Sequence, residues 1–380
     1  MHYFDNAATT VQKPQQVAQA VYDALNSQEL GNPSRGAHGY SLNAYRKVLA
    51  AKCLVKELFQ ASSDYEVVFM HNSTTALNVV LKGILHPGDH VLTTVWEHNA
   101  VLRPLYQMRQ QGLFLDFISG EPLTGALRYD EFEQRVRPET KMVVCNHASN
   151  VTGNVLDLDL IKKFCKKHGI FLVVDVSQSA GAYPVDLSDG AISAVCFTGH
   201  KSLYGPGGTG GACLKKDLTV KPLITGGDGV HSFNREQPPG LPGVLEAGTA
   251  NVTGIVGLAA GIRYILDKTV KRMMQKQSRL AQIFVQGVRS IPNLTLYGDF
   301  THPRVSVFSV NIGDADSAVV SEILWEEFRM ATRSGFHCAP LMHEALQTER
   351  RGTVRFSFSS FTAEEDVCQA VEALKSIAKR

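Results

Sequence analysis

Apolar, β-branched runs alternate along most of the chain with stretches whose apolar residues fall three or four apart. The runs predict strands at 66–71, 90–94, 113–118, 142–146, 170–175, 193–197 and 210–214. The helical spacing predicts helices at 14–26, 41–60, 74–85, 99–111 and 157–168, and a long one near 252–288. Strands that alternate with helices imply an α/β fold, with a mostly parallel seven-stranded sheet flanked by helices on both faces. After about residue 252 the character changes. Strands at 304–311 and 353–358 alternate with helices at 315–328 and 363–378, which implies a smaller C-terminal α/β domain. The expected division is a large domain over 14–252 and a small one built from 1–13 and 253–380. Gln237-Pro238-Pro239-Gly240-Leu241-Pro242-Gly243 reads as a stiff loop within this frame.

Composition narrows the function classes. Among the 380 residues, 44% hydrophobic and 19% charged content is that of a globular protein rather than a disordered one. A net charge of +2 gives no electrostatic case for a nucleic-acid or membrane partner. No apolar stretch approaches the roughly 20 residues that span a bilayer. The start, Met1-His2-Tyr3-Phe4-Asp5-Asn6, lacks the basic and then apolar regions of a signal peptide, so a cytoplasmic protein is expected. The seven cysteines are widely spaced and form no CxxC, so no metal site is expected. Cys145, Cys196 and Cys213 sit in apolar stretches as small hydrophobes; Cys338 does not.

Lys201 is the strongest chemical candidate. It lies in Thr198-Gly199-His200-Lys201-Ser202-Leu203-Tyr204-Gly205-Pro206-Gly207-Gly208, downstream of Phe171-Leu172-Val173-Val174-Asp175 and Gln178. A nucleotide phosphate loop needs Gly directly before the Lys and again six before it, where this chain has His200 and Val195. A lysine in a tight glycine-rich turn, preceded by a strand-end Asp, suits pyridoxal phosphate. The amine joins the cofactor aldehyde as a Schiff base, and the Asp keeps the pyridine nitrogen protonated. The other reading of Lys201 is a solvated loop charge.

Further candidates each carry two readings. Ser73 and Thr74 open a helix after a strand and serve either as an anion site or as an N-cap. His98 is either a ring-stacking proton shuttle that titrates near neutrality or a capping loop residue. Asn150 and Gln178 either donate to a ring hydroxylate or satisfy turn backbone. His200 either reaches a phosphate or is merely the neighbour of the lysine. Cys338, in Arg333-Ser334-Gly335-Phe336-His337-Cys338-Ala339-Pro340, is either a nucleophile whose thiolate Arg333 and His337 favour or a partly buried structural thiol. Arg355, inside a strand-like run, either binds a carboxylate in bidentate fashion or faces solvent at an edge.

Together these segments resemble the class V aminotransferase group of fold-type I pyridoxal phosphate enzymes, and within it the cysteine desulfurases and selenocysteine lyases. The ordered matches include Tyr3-Phe4-Asp5-Asn6-Ala7-Ala8-Thr9-Thr10, Asn32-Pro33-Ser34-Arg35-Gly36-Ala37-His38, Ser73-Thr74-Thr75, Glu97-His98, Ser149-Asn150, Asp175-Val176-Ser177-Gln178, Thr198-Gly199-His200-Lys201, Glu246-Ala247-Gly248-Thr249 and the Cys338 loop. The resemblance implies that Lys201 is the Schiff-base lysine, Asp175 the pyridinium partner and His98 the stacking residue. It implies that Asn150 and Gln178 address the ring hydroxylate, with Asn150 also near the substrate. Thr74, Thr198 and His200 are implied for the phosphate, with Ser73 secondary. Thr249 is expected to reach the partner's phosphate in a homodimer. Arg355 is implied for the carboxylate of L-cysteine or L-selenocysteine, and Cys338 as the catalytic thiol that passes sulfur to a protein acceptor. Val176 replaces the small residue usual after the Asp, and Phe336 stands where the shorter-loop branch often has His. A selenocysteine lyase, an aminotransferase or another β-lyase on this fold, and a non-catalytic sulfur carrier are the alternatives.

Overall fold

The structure is a computed structural model that describes residues 1–34 and 36–380; Arg35 of the Asn32–His38 motif lies outside the described residues. The chain begins with β1 (His2–Tyr3), α1 (Gln15–Asn26), α2 (Gly39–Leu58), β2 (Tyr65–Met70), α3 (Ser73–Ile84), β3 (His90–Thr94), α4 (Asn99–Arg109) and β4 (Phe114–Ile118). It continues through α5 (Glu131–Arg135), β5 (Thr140–Asn146), α6 (Leu158–His168), β6 (Phe171–Asp175), β7 (Ala194–Thr198) and β8 (Gly210–Lys215). The remainder comprises α7 (Val252–Lys268), α8 (Val270–Arg289), β9 (Leu294–Tyr297), β10 (Val307–Ile312), α9 (Ser317–Phe328), β11 (Met330–Ala331), α10 (Pro340–Ala345), β12 (Val354–Ser357) and α11 (Glu364–Ile377).

Among the described residues the large sheet has seven strands in the order β2-β8-β7-β6-β5-β3-β4. Strands β3 to β7 pair in parallel, and β8 runs antiparallel to both of its neighbours. This is the α/β architecture that the apolar runs predict. Successive residues of one strand feed opposite cores. On β5, Val143 and Cys145 join one core while Met142 and Val144 join the other. Both faces are therefore covered, which is why these strands read as unbroken apolar runs.

The C-terminal part carries a three-stranded antiparallel sheet, β12-β10-β9, against α8 and α11. Phe284, Phe308, Phe356 and Phe358 interlock at its centre. The long helix expected over 252–288 is two helices. Thr269 adopts a left-handed φ of 66° and its hydroxyl accepts from the Arg272 N–H, ending α7 and starting α8. Leu258, Ile262 and Ile265 of α7 join the core of the large sheet, whereas Leu280 and Phe284 of α8 face the small one. β9 and the short parallel pair β1-β11 lie outside the strands that the pattern predicts.

Candidate active site

Three parallel strands end side by side and place their last residues in one row. Asn146 of β5 pairs with Asp175 of β6, and Asp175 pairs with Cys196, two residues before Thr198 at the end of β7. Beyond this row lies a cavity of about 260 Å³. Asn146, Asp175 and Thr198 line it from the strand ends. Ser73 and Thr74 reach it from the start of α3, His98 from the start of α4, and Asn150, Gln178, His200 and Lys201 from the turns between. Carboxyl ends of strands are where open α/β sheets bind ligands.

Asp175 is buried and its Oδ1 collects three donors: the Ser73 hydroxyl at 3.1 Å, the Ser177 N–H at 2.9 Å and the Ser177 hydroxyl at 2.5 Å. Ser73 thus orients the carboxylate, and Asn72 rather than Ser73 or Thr74 caps α3 by accepting from the Thr75 N–H. Ser177 is a member of the site that the sequence reading passed over; its position two residues after a strand-end Asp was the available signal.

The Lys201 turn packs tightly. A Cβ on Gly199 would lie 2.1 Å from Thr209 Oγ1, so only glycine fits there. Burial pulls the Lys201 ammonium down to about 8, against the opposing pull of Asp175, with Arg355 and Arg333 adding to the fall. At such a pKa about a tenth of the amine is neutral, and so nucleophilic, at pH 7, several hundredfold more than at the ordinary value.

Burial and the Lys201 charge lower the His98 pKa to about 4. His98 is therefore neutral at pH 7 rather than titrating near it. Its Nδ1 accepts from the Ala100 N–H at 3.0 Å, which leaves the ring proton on Nε2. Glu97 beside it is fully buried. Its Oε1 accepts from the Thr94 hydroxyl and the Asn146 N–H, and desolvation raises its pKa to about 8. No role follows for Glu97 from its sequence position alone.

A strap formed by residues 3–13 closes one side. Asn6 Nδ2 and the Ala7 N–H bond to Ser357 on β12, the Ala7 carbonyl accepts from Gln178 Nε2, and Thr10 bonds to the His200 carbonyl. The Thr9 hydroxyl contacts His200 Nδ1 at 3.0 Å, and burial lowers the His200 pKa to about 4. Asn150 Nδ2 donates to the His337 carbonyl at 2.7 Å, tying the cavity wall to the Cys338 loop.

Cys338 is exposed. His337 and Cys338 hold consecutive left-handed φ values of 49° and 56°, a conformation that costs each residue on the order of 1 kcal/mol. The sequence reading expects His337 to favour the thiolate electrostatically. The structure corrects this. His337 is buried, its Nε2 faces the Thr353 carbonyl, and desolvation drives its pKa well below the usual value, so it carries no charge. Arg355 is also buried; Nη1 donates to the Asn150 carbonyl and Nη2 to Asp5. Thr249 is exposed and lies apart from the cavity of this chain.

The donor set fits a phosphorylated, aldehyde-bearing aromatic cofactor. One end of the cavity has an amine of lowered pKa, and a carboxylate held by three donors stands in its wall. The hydroxyl of Thr198 and Oδ1 of Asn150 are buried there without a partner among the described residues, so polar ligand atoms would satisfy them.

Residues 2–370 match the family described as aminotransferase class-V. The chain belongs to the class-V aminotransferase family. Its relatives within that family include a probable cysteine desulfurase of Methanothermobacter thermautotrophicus, 31% identical over 99% of this chain and 95% of that protein. A cysteine desulfurase of Haloferax volcanii is likewise 31% identical, over 98% of this chain and 88% of that one. Among solved structures, the apo cysteine desulfurase of Thermococcus onnurineus superposes with a TM-score of 0.90 at 29% identity, covering 100% of this chain and 94% of that one. The Escherichia coli cysteine desulfurase CsdA gives a TM-score of 0.87 at 26% identity, covering 99% and 94%.

Proposed function

We propose that this protein is a pyridoxal phosphate-dependent cysteine desulfurase, converting L-cysteine to L-alanine and leaving the sulfur as a persulfide on Cys338. One arrangement carries the reading: a lysine of lowered pKa shares a cavity with a triply bonded aspartate, and Asn150 of that cavity is tied to the loop bearing an exposed cysteine. When bound, the cofactor supplies an electron sink that stabilises negative charge at the substrate Cα.

Lys201 is assigned to hold the cofactor, with Asp175 at the ring nitrogen, His98 over the ring, and Asn150 and Gln178 at the ring hydroxylate. Thr74, Thr198 and His200, with Ser73 secondary, are assigned to the phosphate. The neutral Lys201 amine would take and return the proton at the substrate Cα. Arg355 receives the substrate carboxylate. The Cys338 thiolate forms the S–S bond as the Cβ–S bond breaks, and the electron pair of that bond, with a proton, completes alanine.

The division into a unit over 14–252 and a unit of 1–13 with 253–380 belongs to the same reading, with α7 as the connecting helix. A homodimer is proposed as well. Leu42, Tyr45 and Leu49 form an exposed apolar stripe on α2, Tyr22 and Leu25 of α1 are also exposed, and Thr249 stands exposed to serve a partner's site. All seven cysteines are free, which suits the reducing cytoplasm and a protein that hands sulfur to an acceptor.

The test is a single assay. Purified protein receives L-cysteine or L-selenocysteine, and alanine, sulfide or selenide, and the persulfide-bearing peptide are quantified. Alanine equal to the sulfur released, with persulfide on the Cys338 peptide, supports the reading. Transfer of the amino group to an added 2-oxo acid, with no sulfide released, makes it a transaminase; selenide without sulfide makes it a selenocysteine lyase.

A further inference from the structure

A second cavity, of about 580 Å³, shares no lining residue with the proposed catalytic one. The hairpin over residues 146–156 supplies residues to both. Asn146 and Asn150 line the catalytic cavity, whereas His147, Asn154 and Leu156 line the second. The Leu156 N–H donates to the His147 carbonyl and the Ser149 N–H to the Asn154 carbonyl, each at 2.9 Å, so the two legs of this hairpin are joined.

The second cavity combines aromatic walls with carboxylates. Trp96, Tyr129 and Tyr183 contribute rings, and Asp157, Asp159, Asp186 and Asp299 contribute acids. Lys162 and His302 also line it, but both are matched: Lys162 Nζ lies 3.1 Å from Asp189 and His302 Nδ1 lies 2.6 Å from Asp299. That leaves Asp157, Asp159 and Asp186 without an ion-pair partner among the described residues. Asp157 and Asp159 suit the start of α6, whose positive end favours acids, so they mark nothing by themselves. Asp186 comes from a separate loop, where its Oδ1 accepts from the Ser188 N–H.

His147 is the independent sign of a ligand. It is 2% exposed, and its ring meets Tyr183 edge-on with centroids 5.6 Å apart. Its Nδ1 contacts the Ser179 hydroxyl at 2.9 Å, while Nε2 has no partner among the described residues. The Ser179 hydroxyl also lies 3.5 Å from the Val176 carbonyl. A hydroxyl that donates there accepts from Nδ1–H, which leaves Nε2 a bare acceptor. Burial and the Lys162 charge lower the His147 pKa to about 3, so the ring is neutral at pH 7. A buried acceptor without a donor costs stability, and a ligand N–H satisfies it.

We propose that this cavity binds a small organic cation bearing N–H donors on a flat apolar body, an amidinium or guanidinium. The free carboxylates balance its charge, the aromatic walls pack on its body and His147 Nε2 accepts one N–H. Flat N–H forks pair with carboxylates in bidentate fashion and lie well on aromatic faces. The volume is that of a small-molecule site. The site is independent of the desulfurase reading.

Ligand-observed NMR titrations of the holoenzyme with benzamidine test this. Benzamidine should bind with a dissociation constant of about 1 mM or below. Benzoate, of the same shape and opposite charge, should show no saturable binding. Phenyltrimethylammonium, a cation without N–H, should bind about tenfold more weakly than benzamidine, because it leaves His147 unmet. Asp186→Asn keeps the acceptor for Ser188 and should weaken benzamidine about fivefold to tenfold. Lys201→Ala should leave its affinity unchanged. Absence of saturable benzamidine binding, equal binding of phenyltrimethylammonium or benzoate, or an affinity that survives Asp186→Asn overturns the proposal. Loss of binding in Lys201→Ala assigns benzamidine to the catalytic cavity and overturns it as well. If Asp186→Asn fails to fold, Asp159→Asn, at an exposed position, decides by the same readout.

Discussion

The Asn99 N–H donates to the carbonyl of Cys338 at 2.7 Å. The exposed cysteine is thus moored to the first turn of α4, one residue beyond His98. Its carbonyl meets the positive end of that helix, which favours the partial negative charge of an acceptor. The thiol and the imidazole are delivered by one joint.

Cys338→Ala should lower sulfide release from L-cysteine by about a hundredfold or more, because no thiolate remains to take the sulfur. Cleavage of L-selenocysteine should be largely retained, since selenium can leave without that nucleophile. Parallel assays of sulfide and selenide check this; equal loss of both would remove Cys338 from the sulfur-accepting role.

In the cofactor-free protein, Lys201 should react with amine-directed reagents as a group of pKa about 8, not the ordinary 10.5. The ammonium form dominates below that value and is unreactive. The modification rate should therefore climb about tenfold per pH unit up to about 8 and then level off. Peptide mass spectrometry of Lys201 over pH 6–11 reads this directly. A plateau reached only above 10 would mean that burial does not act on the amine.

Glu97→Gln should become progressively more stable than the parent as pH rises. The Glu97 carboxyl titrates near 4.5 in an unfolded chain and near 8 when buried. Between those values the folded state retains a proton that the unfolded state has lost, so the parent loses about 1.4 kcal/mol of stability per pH unit from this group. Gln does not titrate and suffers no such loss. Chemical denaturation of both proteins at pH 5, 6.5 and 8 gives the difference, and a gap that stays constant would show that Glu97 is ionised throughout.

Asn150→Ala removes the 2.7 Å bond that steadies the left-handed His337–Cys338 pair. Loss of one buried hydrogen bond should destabilise the protein by about 1 kcal/mol, with the effect concentrated in the loop. Hydrogen exchange should quicken at residues 335–339 while the large sheet keeps its protection. Uniform protection would indicate that the loop holds its shape without Asn150.

The large sheet was legible in the sequence because its central strands are buried on both faces, so runs such as Met142–Cys145 and Phe171–Val174 had to be apolar. Residues 294–297 were not, being a short strand directly after Pro292-Asn293 with little room for a pattern. The break at Thr269 was hidden because the apolar spacing continues through it. Within the site, Lys201, Asp175 and Thr198 were readable as strand-end and turn residues. The Asp5–Arg355 pair was not, since 350 positions separate its members. The neutral states of His98 and His337 were also out of reach, because they follow from burial and not from residue type.

The strap also bears on the order of assembly during translation. Its bonds from Asn6 and Ala7 are made to Ser357, some 350 residues later. They cannot form until the ribosome has synthesised and released that part of the chain. Until then residues 3–13 wait without these partners, and their side of the cavity is finished only after Ser357 has left the ribosome.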